Sequence, residues 1–314
     1  MNQTQNNTTG SLENTLSGTG VHAGSNDKLK AYAELTKVRI SVMVMFTFAI
    51  SAILAAGATS IDLLKLFYAT IGMTLMAFSG NAMNMYLERY TDFLMARTAR
   101  RPLPQQRLSA TEVVLFATIC FSVGLAVLTV LVNWQATACA LATWFLYVWV
   151  YTPLKTRTWL NTEVGVIPGA MPILVGSLAA TETVPPLVWA FFGVLLLWQF
   201  PHFMAIAWMY RKDYASGGLQ MLTVVDPTGV RAGRKAIVTC IILIAISLVP
   251  AFLFRTTIHG VIFAPVALLL GYYYLRDSIR FSADRTDVVA RRLLRTSIIY
   301  LPLYMMSLVI ASLS

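Results

Sequence analysis

The sequence predicts an all-α membrane protein with nine transmembrane helices, and two observations support this prediction. The chain of 314 residues is 57% hydrophobic and only 12% charged, with a mean hydropathy of +0.66, whereas soluble domains contain about 25% charged residues. In addition, nine apolar stretches approach the roughly 20 residues that an α-helix needs to cross a bilayer. They lie near residues 40–57, 64–87, 113–132, 135–152, 164–181, 187–209, 236–254, 260–275 and 297–313.

The distribution of basic residues supports the count of nine spans and predicts an orientation. When alternate loops are assigned to opposite sides, 22 of the 24 lysines and arginines fall on one side, and only Lys65 and Arg255 fall on the other. The positive-inside rule then makes the N-terminus cytoplasmic and the C-terminus periplasmic in a bacterial inner membrane. The net charge of +10 therefore indicates topology and does not indicate a nucleic-acid partner.

The segment before the first span differs in composition from the rest of the chain. Residues 1–27 are rich in Asn, Thr, Gly and Ser and contain no Lys or Arg, which predicts a disordered polar tail. This tail has neither the apolar region of a secretory signal nor the arginines of a mitochondrial transit peptide. Residues 28–314 are predicted to form one membrane domain.

The end of the second span carries a ladder of oxygen-bearing side chains. Asn84, Glu88 and Asp92 recur every fourth residue, and Asn81 precedes them by one turn, so that on a helix they share one face. Polar groups at membrane depth are costly and usually functional, and Mg²⁺ accepts such oxygens together with substrate phosphates. We therefore predict a magnesium site here; an ordinary solvated helix end is the alternative.

Five arginines lie within or shortly after this ladder, from Arg89 to Arg107. A guanidinium binds phosphate oxygens through two parallel hydrogen bonds, so Arg97 and Arg101 are predicted to bind an anion such as diphosphate. The alternative is that these arginines only enforce the topology. The third span opens at Ser109, which forms a predicted capping box with Glu112.

The fourth and fifth spans contribute a second set of candidates. Tyr151 and Lys155 lie four residues apart at the end of the fourth span and are predicted to contact the anion, with snorkelling as the alternative for Lys155. The fifth span contains several glycines and prolines, which are typical of tight helix packing or of a broken helix that lines a cavity. These residues are Gly165, Pro168, Gly169, Pro172 and Gly176.

The sixth span contains His202, a candidate proton acceptor or substrate contact whose alternative is simple packing. Arg211, Lys212 and Asp213 follow it, and the loop at 217–229 is apolar enough to be a lid on the membrane. Because the second, fourth and sixth spans end on the same side, their polar clusters are predicted to meet in one cavity that opens toward the cytoplasm. The last three spans are expected to contribute little besides apolar residues.

These motifs resemble those of the UbiA superfamily of intramembrane prenyltransferases. The spacing of Asn84, Glu88 and Asp92 resembles the first motif of the superfamily, with Glu in the middle position, and the likeness covers roughly residues 30–310. The second aspartate-rich motif is not present as such, since Asp213 is the one carboxylate there. The phrases that resemble the subgroup that farnesylates protoheme IX are Arg97-Thr98, Arg101-Pro102-Leu103, Tyr151-Thr152-Pro153-Leu154-Lys155, Asn161-Thr162, Gly169-Ala170, Pro201-His202-Phe203 and Asp213-Tyr214.

The resemblance implies nine helices around an intramembrane cavity and transfer of farnesyl from farnesyl diphosphate to a heme vinyl group. It implies Asn84, Glu88, Asp92 and His202 as catalytic residues. Membrane lipid, a downstream heme-modifying enzyme or oxidase assembly factors are the further partners that it implies. Two alternatives stay open: another acceptor, such as a quinone precursor or chlorophyllide, and a cation-coupled transporter that uses Glu88. The implied Mg²⁺ ligands are Asn84, Glu88, Asp92 and Asp213, and the implied diphosphate contacts are Arg97, Arg101, Tyr151, Lys155, Arg211 and Lys212.

Overall fold

The computed structural model describes residues 25–57, 60–254 and 256–313, which contain helices and no β-strand. Within these ranges, nine helices are long and apolar enough to cross a membrane, as predicted. Most of the predicted tail, residues 1–24, lies outside the described residues. The nine helices are α1 Val38–Ala56, α2 Leu63–Leu87, α3 Ala110–Leu131, α4 Trp134–Leu154, α5 Asn161–Thr181, α6 Pro186–Met209, α7 Val230–Phe252, α8 Thr257–Ala283 and α9 Asp287–Leu313.

The last two helices extend well beyond their predicted spans. α8 continues eight residues past the predicted end at 275, and α9 begins ten residues before the predicted start at 297. Arginines occupy these extensions, for example Arg276 and Arg292. A hydropathy pattern stops at charged residues, whereas the backbone hydrogen bonds of a helix continue through them.

A short helix, Ser25–Leu35, precedes α1 and was not predicted from the sequence. Its apolar residues Ala31 and Leu35 are fully buried against α2, α3 and the loop between these two helices. Two ion pairs hold it there: Lys28 Nζ to Glu112 Oε1 at 2.7 Å, and Arg107 to Glu34. These contacts fix the position of the chain just before α1 begins.

Small residues allow the first helices to pack closely. Gly124 of α3 lies against Gly72 of α2, and a Cβ atom on Gly124 would come within 2.9 Å of the Gly72 carbonyl oxygen. Within a bilayer, where apolar burial drives little association between helices, such close backbone approach supplies the packing energy. Ser109 and Glu112 form the predicted capping box at the start of α3.

Helices α4 and α5 are both irregular where they face the interior. α4 contains a π-helical segment, Leu146–Tyr151, and α5 consists of two helical pieces, Asn161–Ala170 and Pro172–Thr181. Gln199 of α6 donates a hydrogen bond to the carbonyl oxygen of Val166 at 2.9 Å. The interruption at Met171 agrees with the broken-helix alternative, and the close approach of Gln199 to Gly169 agrees with the tight-packing alternative, so α5 shows both features.

These irregular segments line a cavity of about 710 Å³. Its wall is formed by α1, α2, α4, α5, α6 and α9, so a helix of the last third of the chain also contributes. The segment 217–229, which was expected to be a lid on the membrane, packs against the helix bundle in its central part. Met221 and Leu222 are buried against the protein, and Gln220 N donates to the Lys155 carbonyl oxygen at 2.7 Å.

Candidate active site

The predicted ladder of oxygen-bearing side chains lies at one end of this cavity. α2 ends at Leu87 and a short helix, Arg89–Leu94, follows, but the backbone bonds from Glu88 N to Asn84 O and from Asp92 N to Glu88 O carry the helical register across the junction. Asn84, Glu88 and Asp92 all line the cavity and are buried, with Asp92 0% exposed. The prediction that they share one face is confirmed.

A basic side chain contacts each member of the ladder. Lys155 Nζ lies 2.5 Å from Glu88 Oε1, and Arg101 Nη1 lies 2.6 Å from Asp92 Oδ2 and 3.7 Å from Glu88 Oε2. Lys37 Nζ donates to Asn84 Oδ1 at 2.7 Å. The predicted cations Arg101 and Lys155 are therefore brought to the ladder.

Lys37 lies in the candidate site and was not among the predicted site residues. It stands between the helix Ser25–Leu35 and α1, where a lysine is expected to set topology, and its contact with Asn84 spans 47 positions of the chain. The turn that carries it is held by Asn81, whose amide donates to the Thr36 carbonyl oxygen at 3.0 Å and to Ser41 Oγ at 3.3 Å. Asn81, grouped above with the oxygen ligands, thus uses its amide to position Lys37.

The burial of these groups changes their proton affinities. Burial, and secondarily the charge of Arg101, lowers the pKa of Lys37 to about 7. Burial opposes ionisation of Glu88, but the charges of Lys155 and Lys37 outweigh it and leave its pKa below the usual value. For Asp92, burial raises the pKa, although Arg101 acts in the opposite direction.

One atom of the ladder is available for a ligand. Asp92 Oδ1 is buried and makes no hydrogen bond to any described residue. The described residues contain no cluster of three His, Cys, Asp or Glu side chains, so a metal here would take two carboxylates and one amide from the protein. Mg²⁺ is commonly held by one or two carboxylates with substrate phosphates and water completing its six positions, and this donor set fits it.

Arg97 and Tyr151 also line the cavity, as predicted. The Arg97 guanidinium lies over the ring of Tyr210, 4.7 Å from its centroid, and Lys155 Nζ lies 4.5 Å from the centroid of Tyr151. The helix therefore continues through Pro153, and Tyr151 and Lys155 share one face. Arg97, Arg101 and Lys155 can therefore contact an anion that enters the cavity.

Three predicted residues do not line the cavity. Arg211 Nη1 binds Asp287 Oδ1 of α9 at 2.8 Å, which directs it away from the ladder, and Lys212 is exposed. Asp213 Oδ2 accepts a bond from the backbone N–H of Arg97 at 3.3 Å. Its carboxylate therefore supports the loop that carries Arg97.

His202 lies deeper in the cavity, on α6. Its Nδ1 is 2.8 Å from Ser297 Oγ of α9, and its ring stacks on Trp198 with 4.8 Å between centroids. Ile298, Leu301 and Pro302 of α9 line the same cavity. The expectation that the last three helices contribute little is wrong in this respect, because tertiary packing brings Ser297 to His202 across 95 positions of the chain.

Comparison with known proteins places this arrangement in a family. The chain matches the UbiA prenyltransferase family over residues 43–299. It is 41% identical over 283 residues to the protoheme IX farnesyltransferase of Solibacter usitatus, covering 88% of this chain and 96% of that protein. With the protoheme IX farnesyltransferase of Rhodopirellula baltica the identity is 42% over 278 residues, covering 86% of this chain and 95% of that protein.

Solved structures share the fold. A digeranylgeranylglyceryl phosphate synthase superimposes with a TM-score of 0.75 at 16% identity, covering 91% of this chain and 99% of that chain. A UbiA homolog from Archaeoglobus fulgidus, bound to GPP and Mg²⁺, superimposes with a TM-score of 0.65 at 14% identity, covering 89% and 99%. From the match over most of its length, this chain belongs to the UbiA prenyltransferase family.

Proposed function

We propose that the protein transfers a farnesyl group from farnesyl diphosphate to a vinyl group of protoheme IX, giving heme O and diphosphate. The observation that carries this proposal is a buried site of two carboxylates, an amide and several cations at one end of a large apolar cavity. The relatives that are 41% and 42% identical over nearly their whole length bear the name of this activity. The same identities argue against a quinone-precursor or chlorophyllide acceptor.

The cations of the site are suited to bind the diphosphate. Lys37, Arg101 and Lys155 now contact the ladder, and Arg97 lines the cavity nearby. When a diphosphate binds together with a metal, these side chains can break their contacts with the ladder and donate hydrogen bonds to phosphate oxygens instead. Charge-assisted hydrogen bonds of this kind are about twice as strong as neutral ones.

Asn84, Glu88 and Asp92 would hold Mg²⁺, and the free Asp92 Oδ1 supports this role. The fold neighbour from Archaeoglobus fulgidus is described as bound to GPP and Mg²⁺. When bound, the metal supplies Lewis-acid stabilisation of the negative charge that develops on the departing diphosphate. The residues present thus match the requirements of diphosphate departure.

The reaction breaks the bond between C1 of farnesyl and its diphosphate oxygen, and the electron pair leaves with the oxygen. The vinyl π electrons then form the new bond to C1, water adds to the resulting benzylic-type cation, and one proton is released. Tyr147, Tyr151 and Phe203 line the cavity, and their ring faces can stabilise the allylic cation. The apolar walls limit premature capture by water.

We also propose that the cavity opens on the cytoplasmic side of a bacterial inner membrane. The asymmetry of 22 basic residues against two supports this orientation, which gives a cytoplasmic N-terminus and a periplasmic C-terminus. A cysteine accessibility scan with a membrane-impermeant reagent would test it, using single cysteines at Lys30 and at Ser312.

The activity itself is tested by expression in a bacterial strain that lacks its own heme O synthase. Mass spectrometry of the extracted hemes should show heme O, and the purified protein should form it from farnesyl diphosphate and protoheme IX in the presence of Mg²⁺. Absence of heme O together with a prenylated quinone precursor would contradict the proposal. A catalytically impaired Asp92→Asn variant serves as the matched negative control.

A further inference from the structure

We propose that His202 binds the iron of the acceptor heme through Nε2, and that Ser297 is the residue that positions it for this contact. The inference rests on the proposed function, because it takes an iron porphyrin as the acceptor. It adds the place where the acceptor is held, which is separate from the diphosphate end of the cavity.

The hydrogen bonds around Ser297 determine which nitrogen of His202 carries the proton. Ser297 Oγ lies 2.6 Å from the carbonyl oxygen of Leu294 and 2.8 Å from His202 Nδ1. A carbonyl can only accept, and two oxygens at 2.6 Å would repel each other without a proton between them, so the hydroxyl proton points to Leu294. Ser297 then offers His202 only lone pairs, and the imidazole proton lies on Nδ1.

This tautomer leaves Nε2 with a free lone pair. Nε2 makes no hydrogen bond to any described residue, and His202 lines the cavity. Metal-binding histidines commonly donate their other ring N–H to an oxygen, which fixes the tautomer and the ring orientation. His202 and Ser297 have this arrangement, and imidazole nitrogen is a suitable ligand for iron.

The imidazole ring is held by packing on two sides. It stacks on Trp198 at an interplanar angle of 27° and meets the edge of Phe203 at a centroid distance of 5.6 Å. Trp198 in turn donates from Nε1 to the Ser297 carbonyl oxygen at 2.8 Å, and Tyr274 Oη donates to the Trp198 carbonyl oxygen. Three helices therefore fix the direction of Nε2 before a ligand arrives.

The surroundings of His202 suit a flat apolar macrocycle. Trp198, Ile298, Leu301 and Pro302 line this part of the cavity with apolar surface. His202 stands seven residues before the end of α6, which is two helical turns or about 10 Å along the axis. Iron bound at this depth leaves the rim of the porphyrin, with its vinyl groups, free to approach the diphosphate end.

The test is a binding titration of the purified full-length protein in lipid nanodiscs. Ferric protoheme IX and metal-free protoporphyrin IX are titrated in parallel, and the ligation state is assigned by optical and electron paramagnetic resonance spectra. The wild type should show a histidine-ligated spectrum. His202→Ala should lose it and weaken ferric protoheme binding about tenfold or more, while the affinity for metal-free porphyrin changes less than about twofold.

Two controls sharpen this comparison. Added imidazole should restore the ligated spectrum to His202→Ala, because it supplies the missing nitrogen. His259→Ala, which removes a histidine near the start of α8 and outside the cavity lining, should leave both affinities and the spectrum unchanged.

The role of Ser297 has its own readout. In the ferrous protein, Ser297→Ala should shift the iron–histidine stretching frequency in resonance Raman spectra, since the Nδ1 proton loses its acceptor, and Ser297→Thr should restore it. An unchanged frequency in Ser297→Ala would show that Ser297 does not position His202.

The remaining outcomes separate the inference from the proposed function. If His202→Ala binds ferric protoheme with the wild-type spectrum, or if the wild type forms heme O without a histidine-ligated state, the iron contact is overturned and the proposed function stands. If the wild type binds neither porphyrin and prenylates another acceptor, both are overturned.

Discussion

Lys37 Nζ donates a 2.7 Å hydrogen bond to Asn84 Oδ1 and thereby joins the residue before α1 to the ladder at the end of α2. Lys37 has φ 47° and ψ 53°, in the left-handed region, which costs a residue with a side chain about 1–2 kcal/mol. Strained backbone of this kind persists where the surrounding structure holds it in place, and it is frequent at functional sites. Here the Asn81 amide and the docked N-terminal helix hold the turn.

Lys37→Ala should lower kcat/KM for farnesyl diphosphate by about 10²-fold or more, the usual effect of losing one preorganised donor to a developing anion. Steady-state kinetics on the purified protein measures it. Lys37→Arg should retain more activity because it keeps the charge. Lys30→Ala, an exposed lysine of the helix Ser25–Leu35, is the matched control and should behave as the wild type; wild-type kinetics for Lys37→Ala would exclude a role in anion binding.

Glu88→Gln and Asp92→Asn should each reduce prenyl transfer by about 10²-fold or more and raise the Mg²⁺ concentration needed for half-maximal rate, because each removes a carboxylate ligand. The measurement is the rate as a function of Mg²⁺. These substitutions remove the negative charge but keep the side-chain size and one oxygen acceptor for Arg101 and Lys155. Folding should therefore be preserved better than in alanine variants, which also remove the acceptor and cost about 3–5 kcal/mol.

Asp213→Asn should have a smaller effect, under about tenfold in kcat. Its carboxylate accepts a bond from the Arg97 backbone and does not line the cavity, and a neutral amide oxygen retains that hydrogen bond at about half its strength. Rates at several Mg²⁺ concentrations distinguish support of the Arg97 backbone from binding of the metal by Asp213. A loss as large as that of Asp92→Asn, with a raised Mg²⁺ requirement, would make Asp213 a metal ligand.

Arg101→Lys should raise the KM for farnesyl diphosphate about tenfold although the charge is kept. Arg101 reaches both Asp92 and Glu88, and an ammonium group cannot reproduce the two-pronged geometry of a guanidinium. Arg211→Lys is the comparison, since Arg211 pairs with Asp287 away from the cavity. Equal KM changes in the two variants would contradict the assignment of Arg101 to the diphosphate.

Mg²⁺ and a diphosphate should stabilise the protein together far more than either does alone. Lys155 and Arg101 pair with the carboxylates of the ladder. A metal that enters by itself must displace these cations, whereas an accompanying diphosphate can bind them. Thermal unfolding with Mg²⁺, with a non-reactive farnesyl thiodiphosphate, with both, and with both plus EDTA measures this. A full Tm increase with Mg²⁺ alone would show that the ion pairs do not control metal entry.

Most of the fold could be predicted because hydropathy is a local property. The nine spans follow from runs of apolar residues and from the alternation of basic loops, and both can be counted along the chain. Two features could not be predicted in this way: the boundaries of α8 and α9, and the helix Ser25–Leu35. Polar helical turns and a short docked helix lack the long run of apolar residues by which a membrane span is predicted. The last of these depends on contacts of Ala31 and Leu35 with other helices.

The sequence by itself determined that this multi-pass membrane protein has a ladder of Asn84, Glu88 and Asp92, since the spacing of four residues on a helix brings these side chains to one face. Which side chains contact the site residues was decided only by the tertiary structure. Lys37 and Ser297 reach their partners across 47 and 95 positions, and no local pattern marks a contact that depends on how separate helices pack. The contacts of the site therefore depend on the folded chain, whereas the shared face of the ladder depends only on the local helical register from Asn84 to Asp92.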